Sequence, residues 1–220
     1  MHTGRSANWA FHTSRDRLDR RVEVAPLDDQ GNCMLCRLGL VGFDAVYTFG
    51  SYEGRLRQLV HLYKYGKMEP LAATFGPMLA RALPRETSFD LVVPMPLHWL
   101  KKYQRGFNQA ELLANEIAVR WGAPVVNAVR RRKYTSTQAG LTNAKRRLNV
   151  AGAFAIPKRF RKRLDGKHVL LTDDVMTTGA TAGACARALK RAGATRVTLL
   201  TLARTDRRTV IDQTSVGAHA

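Results

Sequence analysis

Apolar and polar positions along the chain change their spacing several times, and each change predicts an element. Residues 1 to about 30 show no apolar period. AVYTFG at 45–50 is β-branched and aromatic and predicts a strand. In RLRQLVHLYKYGK at 55–67, Leu56, Leu59, Val60 and Tyr63 recur at helical spacing, with Lys and Arg between them. Pro70 punctuates, and Ala72, Phe75, Leu79 and Ala82 predict a second helix over 71–83. DLVVPMP at 90–96 reads as a short buried strand ended by prolines. Asn108 followed by Glu111 has the form of a capping box. Ala110, Leu113, Ala114, Ile117 and Trp121 then line one helical face, and Gly122 is the stop.

Further on, PVVNAV at 124–129 and AGAFAI at 151–156 predict strands, and PKRFRKRLDGK predicts a basic turn. Between them, residues 130–149 are polar and basic without a period, and a stretch that long inside a compact domain usually serves function or moves. HVLLTD predicts a strand, and Thr181 to Ala192 a helix with Ala184, Cys185, Ala188 and Leu189 inward. Gly193 ends that helix, and RVTLLTLA at 196–203 is a further strand. Strand, helix and strand in so short a span form a βαβ unit, so the sheet there should be parallel. The pattern predicts an α/β fold with loose ends, the tail from Thr205 onward being one of them.

Composition narrows the class. At 220 residues with 45% apolar residues, the chain suits one packed domain with a small extra lobe. No run of about 18 apolar residues is present, so no membrane insertion is expected. The N-terminus lacks the apolar core of a signal peptide, and three cysteines make an odd count that suits a reducing compartment. A cytoplasmic location is the expectation. Charge changes the picture more. Lys and Arg number 36 against 17 Asp and Glu, a formal +19, which favours anionic partners. The excess is spread over runs at Arg130–Lys133, Lys145–Arg147 and Lys158–Arg163, so no lone patch dominates.

The chemistry concentrates in VLLTDDVMTTGATAG at 169–183. Ligands of open α/β sheets sit beyond the carboxyl ends of the strands, where Asp173 and Asp174 are predicted to lie. Thr177, Thr178, Gly179, Ala180 and Thr181 lead into a helix start, whose free N–H groups and dipole favour a phosphate. Glycine permits close backbone approach, and threonine hydroxyls donate to phosphate oxygens. Carboxylates repel phosphate, so the acids must meet another part of the ligand, for which vicinal sugar hydroxyls are suited. A ribose 5-phosphate moiety satisfies both halves.

This stretch resembles the phosphoribosyl pyrophosphate (PRPP) motif of type I phosphoribosyltransferases. YEGRLRQLVHLYKYGK at 52–67, VVPMPLHWLKKYQRGFNQAELLA at 92–114 and the spacing of Thr137, Gln138, Leu141, Arg146 and Asn149 are similar to the ComF family, phosphoribosyltransferase-like proteins linked to competence and DNA uptake. The resemblance spans about residues 33–204. It implies a type I phosphoribosyltransferase-like parallel sheet flanked by helices, with a small N-terminal hood and knuckle. The corresponding division is a tail at 1–32, a degenerate zinc knuckle and hood at 33–85, the core at 86–204 and a tail at 205–220. The family's knuckle has two CxxC pairs; here only Cys33 and Cys36 are present, an incomplete zinc site, so no structural zinc is expected. His2 and His12 lack knuckle spacing, and Cys185 reads as core.

If PRPP binds, the reaction is displacement of pyrophosphate at the anomeric carbon through an oxocarbenium-like transition state. Asp173, Asp174 and the 177–181 loop would anchor the ribose and its phosphate, with Mg²⁺ accompanying the diphosphate. The resemblance places the pyrophosphate loop after the 90–96 strand, near the amides of Leu97 and His98, with Arg105 assisting. It also makes 130–149 the flap, from which Arg132, Gln138 and Arg146 would close. Lys64 and Tyr65 have the simpler reading of helix caps, and Arg105 of a partner for Glu111. The residues name no acceptor and leave the oligomeric state open. Two alternatives stand beside the transferase: a non-catalytic basic module for single-stranded DNA or a DNA-uptake partner, with Trp99, Tyr103 and Phe107 among Lys101, Lys102 and Arg105 as its stacking surface, and a PRPP-sensing regulator.

Overall fold

The computed structural model describes residues 42–97, 103, 105–132 and 152–205. Its centre is a sheet of four parallel strands: β1 (Ala45–Ser51), β2 (Leu91–Pro94), β5 (His168–Met176) and β6 (Arg196–Arg204), in the order β1-β6-β5-β2. The register pairs Ala45 with Thr198, His168 with Arg196 and Leu91 with Val169. Both β5 and β6 are buried along most of their length, as strands covered on both faces are.

Successive side chains of a strand point to opposite faces, and the core divides accordingly. Leu91, Val93, Val169, Leu171, Val197 and Leu199 join one cluster. Val92, Leu170, Leu200 and Leu202 join the other. The first cluster is closed by α4 (Lys158–Leu164) and α5 (Ala180–Arg191), through Leu164, Cys185 and Leu189. The second is closed by α1 (Gly54–Tyr65), α2 (Leu71–Ala82) and α3 (Gln109–Trp121), through Tyr63, Phe75, Leu79, Leu113 and Ile117. Cys185 is fully buried, and burial pushes its thiol pKa far up, so it behaves as a core residue. Full burial of each such leucine stabilises the fold by roughly 1.5–3 kcal/mol, which fixes the strand ends that carry the site.

The helix punctuation follows local chemistry. Asn108 caps α3 by accepting from the Ala110 N–H at 3.2 Å, and Gly122 ends it in the left-handed region at φ 64°. The capping box is only half made, because Glu111 accepts from the Asn127 amide at 2.8 Å instead.

Two predicted elements differ. Residues 124–129 form no full strand; a single parallel bridge joins Val125 to Val92. The chain then pairs in a short antiparallel ladder, β3 (Arg130–Arg131) with β4 (Phe154–Ala155). The basic segment after Pro157 is the helix α4 rather than a turn, because Leu164 and partly buried Phe160 give it an apolar side to pack. The amino-terminal region, the knuckle cysteines, residues 133–151 and the tail from 206 lie outside the described residues. Among the described residues, no helix is long and apolar enough to cross a membrane.

The topology also reverses direction. From β2 the chain passes through α3 to the Val125 bridge on one side, and from β5 through α5 to β6 on the other. The helices following β2 and β5 therefore lie on opposite faces, and their strand ends part to leave a crevice. In an open α/β sheet that is where a ligand binds.

Candidate functional site

A cleft of about 180 Å³ opens between the ends of β2 and β5. One wall comes from the chain after β5: Asp173, Asp174, Thr177, Gly179, Ala180 and Thr181. The other comes from Met95–Leu97 after β2 and from the start of α3. Asn108 holds that second wall in place, since its side-chain amide donates to the Met95 carbonyl at 3.1 Å.

The loop into α5 is shaped for close approach. Gly179 stands at the N-cap with φ 70°, a left-handed conformation that suits glycine, and has no side chain with which to cap the helix. Thr178 turns inward enough for its Oγ1 to accept from the Ala180 N–H at 3.4 Å, whereas Thr177 is exposed. The remaining N–H groups of the helix start, with Thr177 and Thr181 beside them, present donors to an anion.

The two acids have different surroundings. Asp174 is buried and receives the Lys64 ammonium at 2.9 Å. Asp173 feels Arg131 and lies near Cys185. Burial first, and then the Asp174 charge, push the Asp173 carboxyl up to about 7, against the opposing pull of Lys64. The pair thus straddles the strand end, one acid toward α1 and one toward α5.

Lys64 is one of three consecutive residues that tie the end of α1 to the site. The Tyr63 hydroxyl donates to the Gln109 carbonyl at 2.9 Å, and its ring packs edge-on against Phe75. Burial holds the Tyr63 phenol far above its usual range. The Tyr65 ring lies 5.0 Å under the Arg105 guanidinium, and its hydroxyl accepts from that group at 3.4 Å. Arg105 also donates to Gln109 Oε1 at 3.1 Å. The helix is capped instead by Gly66, whose N–H donates to the Leu62 carbonyl.

Of the residues predicted from sequence, Asp173, Asp174, Thr177, Gly179, Ala180, Thr181 and Arg105 line one cleft. Arg132 does not: its side chain is exposed, and Arg131 lines the cleft with its guanidinium 5.7 Å from the Phe154 ring. The difference between these neighbours follows from the β3 pairing, which sends successive side chains to opposite sides. Phe107, offered as a stacking surface, is buried against Tyr63 at 5.7 Å between ring centroids. Tyr103 is 89% exposed. Gln138, Arg146, Cys33, Cys36, His98, Trp99, Lys101 and Lys102 lie outside the described residues. Lys64, Gln109 and Arg131 were missed as site residues. Two carboxylates entering a cleft need a cation, and a helix of helical apolar spacing ending in Lys-Tyr was the available signal for one.

Comparison with known proteins accords with this geometry. Residues 104–216 match the model of the phosphoribosyl transferase domain. Competence protein F of Haemophilus influenzae is 30% identical over 182 residues, covering 79% of this chain and 77% of that protein. The chain belongs to the ComF family. A second ComF relative, the DNA utilization protein YhgH of Escherichia coli K12, is 31% identical over 168 residues, 72% of this chain and 71% of that one. The fold is that of a type I phosphoribosyltransferase-like protein, and Lys64, Met95–Leu97, Arg105 and Asn108–Ala110, from the two segments similar to the ComF family, supply the wall that faces the acid pair. A solved glutamine PRPP amidotransferase from B. subtilis, complexed with ADP and GMP, aligns at 20% identity over 64% of this chain and 30% of that chain, with a TM-score of 0.44.

Proposed function

We propose that the cleft binds PRPP together with Mg²⁺, and that the protein is a phosphoribosyltransferase of a competence-linked family. The observation that carries this reading is one contiguous segment, Asp173 to Thr181, that brings an acid pair and a glycine-led helix start to the crevice where the sheet reverses direction. The helix start and the threonine hydroxyls take the 5-phosphate. Asp173 and Asp174 accept from the ribose hydroxyls, and Arg105 and Arg131 meet the diphosphate. Among the described residues, no cluster of three or more acidic, histidine or cysteine side chains could hold a metal. A divalent ion therefore fits here as one carried by the diphosphate oxygens, where it neutralises the departing charge. The walls orient the anomeric carbon and limit water, which would otherwise hydrolyse the donor.

Calorimetric titration with Mg²⁺-PRPP tests the reading. Saturable binding by the wild type, lost in Asp173→Asn/Asp174→Asn, is expected, followed by pyrophosphate release when acceptors are screened. No heat from a folded wild type overturns it.

A second reading, a non-catalytic module for single-stranded DNA, has one observation in its favour. Lys158, Arg159, Arg161, Lys162 and Arg163 are all exposed on the single short helix α4. The names of the relatives, a competence protein and DNA utilization proteins, point the same way. That reading predicts DNA binding that weakens steeply with salt and is unchanged by Asp173→Asn.

A further inference from the structure

Two adjacent carboxylates at the mouth of a cleft are, on chemical grounds, a place for a hard divalent cation. Here a protein group already stands there. The Lys64 ammonium lies 2.9 Å from Asp174 Oδ1, with the two side chains only 15% and 12% exposed. This is no surface ion pair. The helix residues on either side of it are tied down, by the Tyr63 hydroxyl on the Gln109 carbonyl and by the Tyr65 ring under Arg105. These contacts hold the helix end from which the Lys64 side chain reaches Asp174. Charge balance gives the arrangement a purpose. A sugar polyphosphate must enter a cleft containing two carboxylates, and Lys64, Arg105 and Arg131 bring three cations to the same walls.

We infer that Lys64 is the resident cation of the cleft, occupying at Asp174 the place of a metal ion and cancelling its charge so that a phosphorylated ribose binds without a divalent ion on the acid pair. Lys64 is thus a positioning residue. It fixes Asp174 as an acceptor, and it confines any metal requirement to ions that the diphosphate itself carries. The sugar-phosphate arm of the test rests on the reading of the cleft given above; the metal arm does not.

The experiment titrates Mn²⁺ alone, followed by its paramagnetic resonance, into wild type, Lys64→Met, Lys64→Arg and Lys64→Met/Asp174→Asn. The wild type and Lys64→Arg should take up no Mn²⁺ at the acid pair. Lys64→Met should gain one site, which the double variant loses again. In the second arm, ribose 5-phosphate should bind the wild type equally in EDTA and in excess Mg²⁺. It should bind Lys64→Met about tenfold more weakly in EDTA, with most of the loss recovered by Mg²⁺. A lysine that only tied α1 to the sheet would show a loss that metal does not repair, and that outcome overturns the inference. Mn²⁺ uptake by the wild type that Asp174→Asn abolishes also overturns it, and that measurement stands even if Lys64→Met fails to fold. Wild type that binds no ribose 5-phosphate sinks the reading of the cleft, while the Mn²⁺ arm still decides the role of Lys64.

Discussion

The two walls of the cleft were built in different ways. The β5 wall is one continuous segment, in which strand, acids, threonines and glycine follow one another between Val169 and Gly183. The facing wall is assembled from Lys64 at the end of α1, Met95–Leu97 after β2, Arg105 ahead of α3, Gln109 at its start, and Arg131 on β3. The first wall works through backbone geometry, which local sequence encodes. The second works through long side chains whose direction depends on how helices and ladders pack. Substitutions on the first wall should therefore act through the loop conformation, and those on the second through charge and register.

The largest effect is expected at Gly179, whose φ of 70° is costly for a β-branched residue. Gly179→Val should lower affinity for Mg²⁺-PRPP about a hundredfold by calorimetry and destabilise the fold by roughly 2 kcal/mol in urea. An unchanged titration would mean that the helix start is not part of the ligand site.

Next is the pH dependence of the acid pair. The folded state raises the Asp173 carboxyl from 3.8 to about 7, so folding favours the protonated acid. Its contribution is fully present below the unfolded value and is lost as pH rises through the folded one. Asp173→Asn removes the group that must ionise. It should stabilise the ligand-free protein by on the order of 1–3 kcal/mol near pH 8 and leave it nearly unchanged near pH 4. Urea melts at the two pH values check this, and equal differences at both would show that Asp173 ionises freely in the fold.

A third test divides neighbours on the assembled wall. Arg131→Gln should weaken PRPP binding about tenfold, whereas Arg132→Gln should change it by less than about twofold. The reverse ranking would break the β3 register as the explanation of the wall. The smallest effect concerns the tie beneath it. Tyr63→Phe removes the donor to the Gln109 carbonyl and should cost about 1 kcal/mol of stability, with a modest loss of PRPP affinity in the same preparation.

Much of this molecule was legible before folding because period and punctuation are local properties. Asn108 and Gly122 marked the ends of α3, Gly193 followed α5, and the acid pair lies near the carboxyl end of β5, which runs on to Met176. The elements that differed are those whose identity depends on a distant partner. Residues 124–129 have strand composition, yet only Val125 meets Val92, and the short strand forms later, where Arg130 and Arg131 meet Phe154 and Ala155. The basic run after Pro157 lacks a strong helical period, and burial of Leu164 against the sheet decides its conformation.

By itself, then, the sequence determined the parallel α/β class, the glycine-led loop after β5 and the family, because each rests on residues close together in the chain. Only the tertiary structure decided that Asp174 is paired with Lys64, that Arg131 rather than Arg132 lines the cleft, and that Tyr65 lies beneath Arg105. The physical reason is range. Hydrogen bonding within a helix or turn is set by neighbours, whereas a charge at the tip of a long side chain finds its partner only after two cores have closed on opposite faces of one sheet.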